Sequence, residues 1–287
     1  MKHFFENLKN NIDFFLRQRL AFSRKNYSEA NEYKEGLFQD ETLEREKFLT
    51  DKYDLDYLKS NSTRQNYLEN LYLIDILDKY LAPYCPPPEF LELVPRSEIL
   101  SSPSRGEVIS PNLSTIHPFA LSTIDIGCKN WFYAKGEYFF FKKYCKNLKL
   151  DGIEIDANRL YTNFYSRKEV AKFYTKGLEN VNYIEGDFLN HNAEYAYMIW
   201  ILPFVVEEPL LKWGLPLKYF RPEEMLRKAY DSLKNDGSMV ILNQGKAEHE
   251  AQIKLCEKLN ISYTTFGEVK SEFLHYNIER HLMIIKK

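Results

Sequence analysis

The sequence predicts an α/β chain in which a doubly wound, mostly parallel sheet of seven strands follows an N-terminal helical lobe. Three observations carry this. Short apolar runs recur from residue 121 to residue 285, helix signals separate most of them, and the first 81 residues instead repeat apolar side chains at spacings of three and four. Strands joined through helices cross over right-handed and lie parallel, which is the doubly wound arrangement.

The N-terminal elements come first. Phe4, Leu8, Ile12 and Phe15 fall on one helical face, the stripe a helix buries against a partner. A Glu- and Lys-rich helix is expected from about Ser28 to Leu49. A third begins at Ser62, where Gln65 completes a capping-box spacing, and carries Leu68, Leu71, Ile74, Leu77 and Leu81 inward. "PYCPPPEF" stops it, because proline lacks an amide hydrogen and clashes with the preceding turn. Ser, Pro, Arg and Asn then dominate. The expected division is a helical lobe over 1–82, a connector over 83–119 and a sheet domain over 120–287.

Strands are expected at Leu121–Ile126, Leu150–Ile155, Val181–Glu185, Tyr197–Leu202, Ser238–Leu242, Ser262–Phe266 and His281–Ile285. Ser166 with Glu169 starts one crossover helix. Pro222, Glu223 and Glu224 open another, which "KNDG" closes. No clear helix separates the last two strands, so they read as an antiparallel pair at the sheet edge. The aromatics Trp131, Phe132, Tyr133 and Tyr138 to Phe141 read as the core of the first crossover helix.

Composition narrows the function. At 287 residues, 44% hydrophobic and 28% charged, the chain is of ordinary globular make-up, with room for one large domain or one domain and a lobe. The 39 Lys and Arg against 41 acids give no overall positive field, which disfavours nucleic acid as a partner. Cys85, Cys128, Cys145 and Cys256 form no C-x-x-C pair, so neither a zinc cage nor a disulfide framework is signalled, and reduced thiols in a cytoplasm are expected. The first twenty residues hold no apolar core of signal-peptide length. The longest apolar run, Met198 to Val206, contains Pro203 and is about half of what a bilayer requires. His117, His191 and His249 have no Cys or acid at ligand spacing, and no metal is expected.

Ligands of a doubly wound sheet bind beyond the carboxyl ends of its strands. Four loops lie there: "IDIGC", "DGIEID", "IEGDF" and "WILPF". Gly127 opens either a loop where the backbone approaches a ligand or an ordinary tight turn, and the four loops in order favour the ligand. Glu154 is placed to accept hydrogen bonds from both hydroxyls of a ribose. Asp156 reads as the N-cap of a following helix. Asp187 can receive the exocyclic amine of an adenine, with Phe188 and Ile155 as apolar walls. A G-x-G-x-x-G is absent, against a nicotinamide dinucleotide.

In order and content these motifs resemble the class I S-adenosylmethionine-dependent methyltransferases, from about Leu121 to Lys287: the "IDIG" strand, "GIEID", "GDF", the helix ending in "LKNDG" and the terminal hairpin. The resemblance implies a seven-stranded sheet whose last strand is antiparallel, S-adenosylmethionine as cofactor, Glu154 on its ribose, Asp187 on its adenine, and Asp125 and Gly127 beside its methionine portion. The expected cofactor contacts are thus Asp125, Gly127, Cys128, Glu154, Ile155, Asp187 and Phe188.

Two departures are visible. The family's D-x-G-x-G-x-G continues here with Lys129 and Trp131 in place of the later glycines. Where amine methyltransferases often carry [Asn/Asp]-Pro-Pro-[Tyr/Phe], this chain has Ile201, Leu202, Pro203 and Phe204, and Ile201 cannot accept a hydrogen bond from an amine. Lys129, Pro203, Phe204, Trp213 and Gln244 are the expected substrate contacts. Glu207, Glu208 and Gln244 are the polar candidates near the rim, and no general base is assigned. A small-molecule acceptor is expected, the alternative being a regulatory module that binds the cofactor or its demethylated product without transfer.

Overall fold

Alternation along the central strands sets the architecture. In β5 (Tyr195–Ile201), Tyr197 and Ile199 pack on one side of the sheet while Met198 and Trp200 pack on the other. Val240 and Leu242 oppose Met239 and Ile241 in β6 (Leu233–Gln244) in the same way, as do Leu282 and Ile284 against Met283 and Ile285 in β9 (Arg280–Lys286). A strand apolar on both faces has to be covered on both.

The computed structural model describes residues 2–20, 36–38, 44–86, 120–145, 147–162 and 164–287. With β2 (Ala120–Ile126), β3 (Asn147–Glu154), β4 (Val181–Glu185) and β7 (Tyr263–Val269), these strands form one seven-stranded sheet in the order β4-β3-β2-β5-β6-β9-β7. Every pairing from β4 through β6 is parallel, and β9 runs antiparallel to both β6 and β7. The predicted seven strands are all present. The last inserts between the fifth and sixth, so of the expected edge pair β7 alone lies at an edge, with β4 at the other.

One face of the sheet is covered by α8 (Pro222–Asp231) and α9 (Gly245–Lys258), through Leu226, Ala229 and Cys256. The other is covered by α5 (Ala134–Lys142) and by N-terminal helices α2 (Glu44–Tyr53), α3 (Asp56–Ser60) and α4 (Arg64–Ile76), which share one core with it. Helix α4 is buried on nearly every side. It lies so close to α5 that a Cβ on Gly136 would stand 2.9 Å from the Asn70 carbonyl oxygen, and the Gly136 N–H donates to Asn70 Oδ1 at 2.6 Å. Asn66 donates to the Phe132 carbonyl at 2.7 Å. Arg45 ties α2 to α4 through Asp75, at 2.7 Å.

Several expectations give way. The cap of α4 is Thr63, not Ser62: its hydroxyl accepts the Asn66 N–H at 3.2 Å. The helix expected over 28–49 begins only at Glu44. Residues Gly36–Phe38 are instead β1, antiparallel to β8 (Leu274–Tyr276), and the rest of that span before Glu44 lies outside the described residues. So does the connector from 87 to 119. Asp156 caps no helix; α6 (Arg167–Tyr174) starts later, behind the predicted Ser166–Glu169 capping box.

Helix α1 (Lys2–Leu20) reverses its expected orientation. Phe4, Leu8, Ile12 and Phe15 point outward at 66, 49, 54 and 57% exposure, while Asn10, Phe14 and Arg17 are buried. The cause is polar. The segment from α7 (Glu207–Trp213) to Leu217 offers backbone groups that need partners, and α1 supplies them: Asn10 donates to the Leu211 carbonyl at 2.9 Å, and Asn7 accepts the Leu217 N–H at 2.8 Å. Arg17, fully buried, pairs with Asp156 at 2.7 Å and donates to the Gly214 carbonyl at 3.0 Å. Arg159 and Arg167 complete a buried cluster around Asp156.

Candidate functional site

A cavity of about 880 Å³ opens at the carboxyl ends of the parallel strands, beneath α4 and the segment around α7. Its floor is the loop after β2. Gly127, Lys129 and Trp131 all adopt left-handed backbone conformations, with φ of +74°, +58° and +49°. These are the positions where the family pattern carries glycines, so the loop keeps a glycine-type path with two residues that resist it. Open space lies above Gly127: a Cβ built there would meet no atom within 4 Å.

Glu154 ends β3 and lines the cavity, 5% exposed. Its Oε2 accepts the Lys129 N–H at 3.0 Å and its Oε1 the Asp156 N–H at 2.7 Å, while the Arg167 guanidinium approaches Oε1 at 3.4 Å. The acid therefore fixes the first loop and still keeps lone pairs for a ligand. Asp187, beyond β4, lines the same cavity. One of its oxygens takes the Leu189 N–H at 3.0 Å and the other pairs with Arg221.

Of the expected contacts, Gly127, Glu154, Ile155, Asp187, Phe188, Lys129, Pro203, Phe204, Trp213 and Gln244 all line this cavity. Asp125 and Cys128 do not. Asp125 is buried under the loop with Tyr133 and Glu137 beside it, outside hydrogen-bond geometry, and burial pushes its carboxyl up to about 7. Cys128 is buried against Gly152, where burial pushes the thiol up as well. Trp131 is buried in the core behind the loop, and the Lys129 ammonium lies 4.9 Å from the centre of the Trp213 ring, which Arg167 approaches at the same distance. Phe132 and Tyr133, expected in the core of the crossover helix, border the cavity as well. Glu207 and Glu208 are exposed and outside it, the latter paired with Lys212.

Among the polar groups that escaped the sequence reading are Glu69 and Tyr72 of α4, Arg221 beside Asp187, Glu248 of α9, and Tyr276 and Arg280 from β8 and β9. Burial pushes the Glu69 carboxyl up to about 7, against the smaller opposing effects of Gln65 and Lys129. The available signal was an acid inside "YLENLYLIDIL", a stretch too apolar for a solvated helix. Among the described residues, no group of three His, Cys, Asp or Glu side chains could hold a metal ion, and no helix is long and apolar enough to cross a membrane.

The strand order, the single antiparallel insertion and the cavity at the carboxyl ends define a Rossmann-like, doubly wound α/β fold. No family model and no curated protein matches the sequence. Among solved structures the chain is similar to a putative class I S-adenosylmethionine-dependent methyltransferase from Listeria monocytogenes, 12% identical over 58% of this chain and 54% of that one, with a TM-score of 0.42. A methyltransferase from Pyrococcus furiosus is 18% identical over 58% and 74%, with a TM-score of 0.41. The N-methyltransferase NodS from Bradyrhizobium japonicum is 13% identical over 58% and 85%, with a TM-score of 0.38. These likenesses concern the fold.

Proposed function

We propose that the protein is a cytoplasmic methyltransferase that uses S-adenosylmethionine to methylate a small molecule. One observation carries this reading: Glu154 and Asp187, from the ends of adjacent strands, meet Gly127 on a single cavity at the carboxyl end of the sheet. The chemistry of the donor set fits the cofactor. Glu154 accepts from the ribose hydroxyls with the lone pairs that Lys129 and Asp156 leave, Asp187 faces the adenine amine, and Ile155 and Phe188 wall the ring. The open space over Gly127 admits the remainder. Four free cysteines suit a reducing compartment.

When bound, the cofactor supplies an activated methyl group on a sulfonium. The chain's share is alignment and exclusion of water. Trp213, held between Lys129 and Arg167, and the segment pinned by α1 close the outer wall of the site. Arg221 orients Asp187 through their ion pair.

Calorimetry of the purified chain with S-adenosylmethionine, S-adenosylhomocysteine and NAD tests the reading. Both sulfur nucleosides are expected to bind below about 1 mM and NAD not to bind. If neither nucleoside binds, the cofactor assignment is wrong.

A further inference from the structure

The sheet order divides the cavity. Glu154 and Asp187 stand over β3 and β4, whereas Gln244 and Arg280 stand over β6 and β9, on the far side of β2 and β5. Helix α4 and β8 roof that second half with Glu69, Tyr72, Leu274 and Tyr276.

Three features there call for a ligand. Arg280 is 6% exposed, yet among the described residues its guanidinium bonds only the Ile278 carbonyl, at 3.4 Å, and stacks 4.2 Å from the centre of the Tyr276 ring. Among the described residues no carboxylate lies within ion-pair distance of it. Glu248, across from it, accepts the Gln244 N–H at 3.2 Å; burial raises its carboxyl, against the smaller opposing effects of that bond and of the Arg280 charge, which it meets only at longer range than an ion pair. A buried cation short of an anion is costly unless something bound completes it. The Tyr72 hydroxyl, on a side chain 6% exposed, likewise has no hydrogen-bond partner among the described residues. Finally, Glu69 stands one turn before Tyr72 on α4, with Gln65 donating to it at a long 3.4 Å from its own helix and Lys129 the charged group facing it from the first loop.

The walls between these groups are apolar and aromatic, from Leu274, Tyr72 and Tyr276. Tyr72 and Tyr276 meet edge to face, with ring centres 5.2 Å apart. We propose that this half receives a planar aromatic acid bearing a hydroxyl group, with Arg280 holding its carboxylate and Glu69 taking the hydroxyl proton as the methyl is transferred. The assignment rests on the reading of the other half as the methyl donor's site. In the step, the hydroxyl oxygen forms a bond to the methyl carbon. The methyl–sulfur bond breaks with its electron pair returning to sulfur, a neutral thioether departs, and the proton passes to the Glu69 carboxylate. A carboxyl near 7 is matched to that duty at neutral pH.

The test titrates the full chain, with and without saturating S-adenosylhomocysteine, with 4-hydroxybenzoate, benzoate and neutral 4-hydroxybenzamide. Both acids are expected to bind and the amide to bind at least about tenfold more weakly. Arg280→Met should weaken both acids by about tenfold or more. Glu69→Gln should weaken 4-hydroxybenzoate several-fold while leaving benzoate unchanged, which separates a bond to the hydroxyl from a general loss of packing. Affinity for S-adenosylhomocysteine should stay the same in both variants, and its binding alone reports on the donor site. Equal binding of the acid and the amide, acids that fail to bind at millimolar concentration, or an Arg280→Met protein that binds the acids normally would overturn the proposal, whatever S-adenosylhomocysteine does.

Discussion

The Lys129 N–H donates to Glu154 Oε2 at 3.0 Å, so the loop after β2 and the acid that ends β3 are one unit. A single carboxylate thus shapes the floor of the cavity and faces its interior. Glu154→Gln keeps the volume but removes the charge and turns half of the acceptor into a donor aimed at a backbone N–H. S-adenosylhomocysteine affinity is expected to fall by about 1.5–3 kcal/mol, read by calorimetry. Unchanged affinity would remove Glu154 from the ribose.

Lys129 tests the strain in the same loop. At φ +58° an L-residue carries roughly 1–2 kcal/mol of cost that glycine avoids, set against about 0.5–1 kcal/mol of extra backbone entropy for glycine. Lys129→Gly should therefore match or exceed the wild type in urea midpoint, whereas Lys129→Val, β-branched, should fall by about 1 kcal/mol or more. A glycine variant less stable than the valine one contradicts the left-handed assignment.

Arg17 and Asp156 join α1 to the sheet, both with fully buried side chains. Removing the cation leaves Asp156 with Arg159 and a weaker approach from Arg167. Arg17→Ala is expected to cost about 1–3 kcal/mol in urea unfolding of the full chain, because Asp156 stays paired. Phe15→Ser, on the exposed face of the same helix, should cost under about 0.5 kcal/mol. Equal losses would mean that α1 docks by its apolar stripe after all.

These variants also mark where sequence and structure part. Runs such as "YMIWI" and "MVIL" declare strands because both faces are apolar over a short length, and parallel pairing follows from the helices between them. Glu154 and Asp187 were legible because strand ends in such a sheet converge on one rim. The path of Lys129 and Trp131 was not, since their identities argue against the conformation they adopt. Helix α1 misled because the hydrophobic stripe is only one claim on a surface; the Gly214 and Leu215 carbonyls, the Leu217 N–H and the buried Asp156 made the stronger one. Glu69 and Arg280 reach the cavity from positions 69 and 280, brought together by α4 packing on α5 and β9 inserting beside β6, contacts that no local pattern encodes.

Asp125 gives the fold a dependence on pH. Its carboxyl is fully desolvated beside Glu137, which receives the Trp131 indole N–H at 2.9 Å and is itself raised by burial and by Asp125. With a folded value of about 7 against an unfolded value near 3.8, the folded protein retains a proton that the unfolded chain releases. Unfolding free energy therefore falls as pH rises through that window and levels off above it; the stabilising state is the protonated one. Glu69 adds the same sign through its own raised carboxyl, while Tyr133, Cys128 and Glu154 face Asp125 without supplying a cation. Asp125→Asn keeps the shape and removes the titration. Relative to the wild type it should gain stability as pH rises from 5 to 8, measured by urea unfolding at each pH. A variant whose difference from the wild type is the same at both pH values would show that Asp125 is ionised in the folded protein.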